Sequence, residues 1–227
     1  MKQILIGGDS WACGEWKFDK TNTNTIVHPG LEQYFLDDGF AVTNSAQGRS
    51  SNAESIDRMF DQHAKDKFDY VIWVQTDPLR DLRPYTDFLS KFIRYDQLLV
   101  ESNRLLNLSY EKLNQLGRPI ICLGGCSKLD PDIGKYKNLT PLIDSMIEFL
   151  LPDFTHPEIW HSDWIRCTKN AVASTLNEEL LDQLLMNKRQ QDQLYLEPLF
   201  NPDGQHPNRE GHRILYNHIR EFLNNGN

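Results

Sequence analysis

The chain has 227 residues, 39% of them hydrophobic, which suits one α/β domain with a substantial core and excludes a disordered polymer. A net charge of −8 and a pI near 5.3 set the surface against nucleic acid phosphates, and no Lys/Arg run offsets that charge. No window approaches the roughly 18–20 apolar residues that span a bilayer, and MKQILIGGDS lacks the apolar region and cleavage site of a signal peptide. A soluble, cytoplasmic protein without membrane insertion is expected. Cys13, Cys122, Cys126 and Cys167 are scattered without a CxxC pair, as free buried thiols of a reducing compartment would be.

Along the chain, residues 3–7 form a short apolar run ending in glycines, a buried strand, and Gly8-Asp9-Ser10 then reads as a turn. Residues 29–38 carry Leu31, Tyr34 and Phe35 at helical spacing and stop at Gly39, a C-cap candidate. A second strand is expected over 40–44 and a helix over 51–67, with Ile56, Met59 and Phe60 on one face. Tyr70-Val-Ile-Trp-Val-Gln75 is a near-continuous apolar run of the kind buried on both sides. A long helix over 95–116, stopping at Gly117, precedes a strand over 119–123.

This alternation predicts a single α/β domain over 1–227 with a parallel sheet covered on both faces. Right-handed crossovers would line the strand C-termini along one edge, where sites in such sheets form. From about 126 to 200 the rhythm changes, and the stretch reads as a helical insertion with helices over 139–151 and 173–191. A closing helix is expected over 207–224, with Pro207 at its first position.

Four segments carry side chains suited to chemistry: Gly8-Asp9-Ser10-Trp11, Asn44-Ser-Ala-Gln-Gly48, Val74-Gln75-Thr76-Asp77-Pro78, and Asp203-Gly-Gln-His206-Pro207. A serine hydroxyl is a weak nucleophile at neutral pH and needs a base within hydrogen-bond reach. Histidine suits that task, and a carboxylate can orient its second ring nitrogen. Asp203 and His206 lie three residues apart, a spacing that lets the carboxylate fold back onto the imidazole in a turn. Backbone N–H groups near Ser10 and Gly48 could face a developing oxyanion.

Here the sequence resembles a known family. Gly8-Asp9-Ser10 is similar to the GDS(L) block of SGNH hydrolases, with Trp11 in place of the leucine. Gly48 falls where that family has its oxyanion-hole glycine, and Asp203-x-x-His206-Pro207, trailed by Asn208 and Gly211-His212, resembles its final block. The resemblance implies a flavodoxin-like, three-layer α/β/α fold and hydrolysis of a carboxylic ester through an acyl-enzyme, without metal or nucleotide cofactor. It casts Ser10 as nucleophile, His206 as general base and Asp203 as its orienting partner. The oxyanion hole would comprise the Ser10 and Gly48 backbones and Asp77.

The third block departs from the family pattern, because Asp77 stands where an asparagine is expected. An ionised aspartate donates no hydrogen bond. Three outcomes stay open: Asp77 is protonated, Gln75 or Thr76 donates instead, or activity is weak or absent. Asp9, Trp11, Asn44, Gln75 and Thr76 are the remaining candidates for substrate contact. The expected partner is a small-molecule or carbohydrate ester, with an O-acetylated carbohydrate the first choice. The rivals are a non-catalytic module that keeps the fold and an O-acyltransferase. His156, His161, Asp163 and Cys167 match no zinc spacing, so no metal site is assigned. Trp160 and Trp164 would share a helical face, as core or as an aromatic wall.

Overall fold

The computed structural model describes residues 1–18, 24–82, 95–154, 194, 197–201 and 206–225. In chain order the elements are β1 (Gln3–Gly7), α1 (Ser10–Cys13), β2 (Glu15–Phe18), β3 (Asn24–His28), α2 (Leu31–Asp37), β4 (Ala41–Asn44), α3 (Asn52–His63) and β5 (Tyr70–Gln75). There follow a 3₁₀ turn at Pro78–Leu82, α4 (Tyr95–Asn114), β6 (Ile120–Gly124), a second 3₁₀ turn at Pro131–Lys135, β7 (Leu139–Ile143), α5 (Met146–Leu150) and α6 (Arg209–Asn225).

Five of these strands form one parallel sheet in the order β4-β1-β5-β6-β7. Numbered among themselves these strands run 2-1-3-4-5, the flavodoxin-like order of a doubly wound sheet. The fold class expected from the sequence is therefore the one observed.

The pleat divides the apolar runs between two cores. Ile4, Ile6, Ile72, Val74, Ile121 and Leu123 face one core, which α2, α5 and α6 complete with Phe35, Met146, Leu215 and Ile219. Leu5, Val71, Trp73, Ile120 and Cys122 face the other, closed by Ile56 and Met59 of α3 and Leu106, Tyr110 and Leu113 of α4. Both faces are covered, which is why the central strands are apolar throughout. On α6 the buried Leu215, Ile219 and Leu223 recur at i, i+4 and i+8, and each such side chain contributes about 1.5–3 kcal/mol on full burial.

Two elements correct the sequence reading. Leu139–Ile143, expected as the start of a helix, is the fifth strand of the sheet, and only Met146–Leu150 within that stretch is helical. Pro207 is not the first residue of the closing helix: it pairs with Phe200 in an isolated β-bridge, and Asn208 caps α6 by accepting the Gly211 N–H at 3.0 Å. A two-stranded antiparallel ribbon of β2 and β3 was not foreseen. Gly14 makes it possible, since its φ is +121° and a Cβ there would sit 2.2 Å from the His28 carbonyl oxygen. The helix expected over 173–191 lies outside the described residues. No described helix is long and apolar enough to cross a membrane.

Candidate active site

Because the sheet is parallel, the C-terminal ends of β1, β4 and β5 share one edge, and the residues that follow each strand meet there. After β1 the chain turns into the single helical turn α1, capped by Asp9, whose Oδ1 accepts the Trp11 N–H at 3.0 Å. Ser10 is thereby fixed as the first residue of α1.

His206 comes from the far end of the sequence. Its carbonyl accepts the Asn201 N–H at 2.9 Å, and with the Phe200–Pro207 bridge this holds the segment in place before α6. The imidazole is flanked by the indoles of Trp11, with ring centroids 5.8 Å apart, and Trp16, at 6.2 Å. Its Nε2 lies 2.8 Å from Ser10 Oγ, so an unprotonated Nε2 can accept the hydroxyl proton. Asp203 lies outside the described residues.

Gly48 comes beside the nucleophile: a Cβ on it would lie 4.0 Å from Ser10 Cβ and 3.3 Å from Trp16 Cη2. Cys13, one turn after Ser10, is buried against this segment. Burial pushes its thiol up to about 12, the Asp9 charge adds to the effect, and the Arg58 charge and Gly48 N–H act the other way. Cys13, Cys122 and Cys126 are buried, as expected, whereas Cys167 lies outside the described residues.

The third segment behaves differently from its sequence reading. Gln75 is fully buried, and the pleat turns it toward α4, where its Oε1 accepts from Tyr110 Oη at 2.5 Å and its Nε2 donates to the Lys128 carbonyl at 2.7 Å. It is thus a core brace, not a substrate contact. Thr76 donates its hydroxyl to Asp9 Oδ2 at 2.6 Å, and its N–H goes to Asn52 Oδ1 at 2.9 Å. The hydroxyl proton is thereby committed and does not reach an oxyanion. Asp77 Oδ1 accepts the Leu79 N–H at 2.9 Å, so this oxygen caps the Pro78–Leu82 turn.

Three other residues expected to contact substrate make structural contacts. Asp9 is 1% exposed and works inward as a cap, and Trp11 packs in the core against Phe200. Asn44 braces α1 against β4, donating to the Ala12 carbonyl at 3.2 Å and accepting the Ala46 N–H at 3.0 Å.

Trp16 and Arg80 carry no signal in the sequence. Trp16 sits on β2 and donates its indole N–H to the Ser10 carbonyl at 2.9 Å. Arg80 makes a buried ion pair with Asp9, with side-chain exposures of 11% and 0%. No residue type or spacing announces either role, since both depend on burial. Among the described residues, no cluster of His, Cys, Asp and Glu is arranged to hold a metal ion. His156, His161, Asp163, Trp160 and Trp164 lie outside the described residues.

No protein-family model and no curated protein sequence matches the chain. Several solved structures resemble it. The esterase AlinE4, of the SGNH-hydrolase family, is 21% identical, with 78% of this chain and 97% of that one covered and a TM-score of 0.39. Est24, a carbohydrate acetylesterase from Sinorhizobium meliloti, is 14% identical over 98% of both chains, with a TM-score of 0.44. The psychrotrophic esterase EstA from Pseudoalteromonas sp. is 13% identical, covering 99% of this chain and 100% of that one, with a TM-score of 0.43. At these scores, what each of the three acts on is a property of that protein alone.

Proposed function

We propose that this chain is a serine esterase of the SGNH type. The observation that carries the reading is the 2.8 Å approach of His206 Nε2 to Ser10 Oγ across 196 residues of sequence. A surface histidine and a turn serine have no reason to meet in this way. Chemically, the pair supports acyl transfer.

In the proposed reaction Ser10 Oγ attacks the ester carbonyl carbon while its proton passes to His206 Nε2. The tetrahedral intermediate collapses as His206 returns that proton to the leaving alcohol. Water, deprotonated by the same imidazole, then attacks the acyl-serine and releases the carboxylic acid with Ser10 regenerated. Asp203 is the proposed orienting carboxylate, and the backbone N–H groups of Ser10 and Gly48 are the proposed oxyanion donors. Asp77 is left out of that set because its carboxylate serves as an acceptor for the adjacent turn.

The proposed substrate is an ester with a small acyl group, an O-acetylated carbohydrate first among them. What supports it is the indole of Trp16 beside the pair, a flat apolar face of the kind on which sugar rings stack.

A fluorophosphonate probe tests the reading. Wild type should be labelled once per chain and Ser10→Ala not at all. Ser10→Ala and His206→Ala should each lower kcat toward an aryl acetate by about 10⁴–10⁶. Wild type that neither labels nor turns over acetate esters would instead be a non-catalytic module on this fold.

A further inference from the structure

Behind Ser10 lies a closed polar triangle that the proposed reaction does not use. Asp9 Oδ2 accepts from Thr76 Oγ1 at 2.6 Å and from Arg80 Nη1 at 2.5 Å, and the same Nη1 reaches Thr76 Oγ1 at 2.8 Å. The other oxygen of Asp9 caps α1 through the Trp11 N–H. One carboxylate therefore sets the start of the helical turn that carries Ser10 and is itself clamped from the end of β5. We infer that Arg80 is a positioning residue for the nucleophile: by holding Asp9, it keeps Ser10 Oγ within reach of His206.

The directions of the hydrogen bonds make the clamp rigid. A hydroxyl has a single proton, and Thr76 gives it to Asp9, so its oxygen can only accept from Arg80. Asp9 and Thr76 are each 1% exposed and the Arg80 side chain 11%, so water competes little for these bonds. A buried charge stripped of its partner is strongly unfavourable, so Asp9 and Arg80 hold each other in place.

The clamp also extends sideways. Asn52, first residue of α3 and fully buried, donates to the Thr76 carbonyl at 3.3 Å and to Asp81 Oδ2 at 3.2 Å. Asp81 Oδ1 in turn accepts the Ala53 N–H at 2.9 Å. Arg80 and Asp81, neighbours in one 3₁₀ turn, thus grip the tip of β1 and the start of α3. The unusual third block then has a physical reading: Thr76 and Arg80 serve the nucleophile from behind.

This inference rests on Ser10 being the nucleophile, and the test separates the two. Active sites are counted by fluorophosphonate labelling run to completion, and kcat per labelled site is measured with an aryl acetate. Arg80→Met should lower kcat per site by about 10²-fold, the scale of loss for a displacement near 1 Å, with KM unchanged. Arg80→Lys should recover part of the loss, since an ammonium pairs with Asp9 but lacks the guanidinium's planar fork. Asp9→Asn/Arg80→Met removes both buried charges, so it should fold even where Arg80→Met does not, and its kcat per site should stay low.

Wild-type kcat per site in Arg80→Met, or in Asp9→Asn/Arg80→Met where the single variant does not fold, with only thermal stability reduced, makes Arg80 purely structural and overturns the inference. Failure of the wild type to label at Ser10 removes the esterase reading, and the inference with it.

Discussion

Trp16 donates its indole N–H to the main-chain carbonyl of Ser10 at 2.9 Å, tying the β2–β3 ribbon to the proposed nucleophile. The same ring flanks His206 and borders Gly48. A single side chain thus lies against the three residues proposed to surround the acyl group. Trp16→Phe keeps the aromatic wall and deletes the donor. A hydrogen bond of this kind is worth about 0.5–1.5 kcal/mol net, so kcat/KM should fall by at most about tenfold. Trp16→Ala opens the wall, and the ratio of butyrate to acetate hydrolysis should rise with it. An unchanged acyl-length profile in Trp16→Ala would remove the indole from the substrate path.

Gly48 has little room for a side chain. A Cβ there would stand 3.3 Å from Trp16 Cη2, close enough that the ring must give by a few tenths of an ångström. Gly48→Ala should therefore lower kcat/KM by about 10–10²-fold, through displacement of the backbone proposed to face the oxyanion, while thermal stability changes little. In a double-mutant cycle Gly48→Ala/Trp16→Ala should lose less than the sum of the two single losses. Strict additivity would show that the two residues do not press on each other.

The carboxylate of Asp77 gives a third test. Its Oδ1 accepts the Leu79 N–H and so starts the turn that carries Arg80. Asp77→Asn retains an oxygen acceptor, and both thermal stability and esterase activity should stay close to wild type. Asp77→Ala deletes the cap and should cost about 1 kcal/mol, seen as a lower urea midpoint. A rise in kcat on Asp77→Asn would instead mean that the side chain faces the oxyanion after all.

What the sequence revealed and what it hid follow from one distinction. The strands β1, β5 and β6 and the helix α6 announce themselves because their burial demands unbroken apolar runs or an i, i+4 stripe. β7 does not. Leu139-Thr-Pro-Leu-Ile143 is an edge strand, so its middle is only partly buried and Pro141 is tolerated in it, which makes the stretch read as something else. The approach of His206 to Ser10 was legible through the order of short blocks and the chemistry that would pair them.

The direction in which a side chain points was not legible. Gln75 and Thr76 are adjacent, yet the pleat sends the first to Tyr110 and the second to Asp9. Nor does an isolated arginine at position 80 reveal that it will be buried against Asp9. Asp9, Trp11, Asn44, Gln75 and Thr76 all make supporting contacts beside the candidate site, and proximity in sequence to Ser10 does not reveal which contacts a side chain will make.

His212 is the histidine that trails the final sequence block. It is fully buried one helical turn into α6, against Gly30, where a Cβ would meet its Nδ1 at 2.9 Å. Burial lowers its pKa from the ordinary 6.5 to about 4, the charges of His28 and His206 add to this, and the Gly14 main chain opposes it. Above pH 6.5 both folded and unfolded chains carry it neutral, and no stability is at stake. Below 6.5 the unfolded chain takes up a proton that the folded chain refuses, so stability falls as pH drops and the loss is complete near pH 4. A shift from 6.5 to about 4 corresponds to about 3 kcal/mol. His212→Leu removes the titrating group, so its urea midpoint should decline less steeply between pH 7 and 4.5 than that of wild type, with the two curves converging or crossing as pH falls. Parallel curves over that range would mean that some other group governs acid unfolding, and that the imidazole is protonated as readily in its buried site as in the open chain.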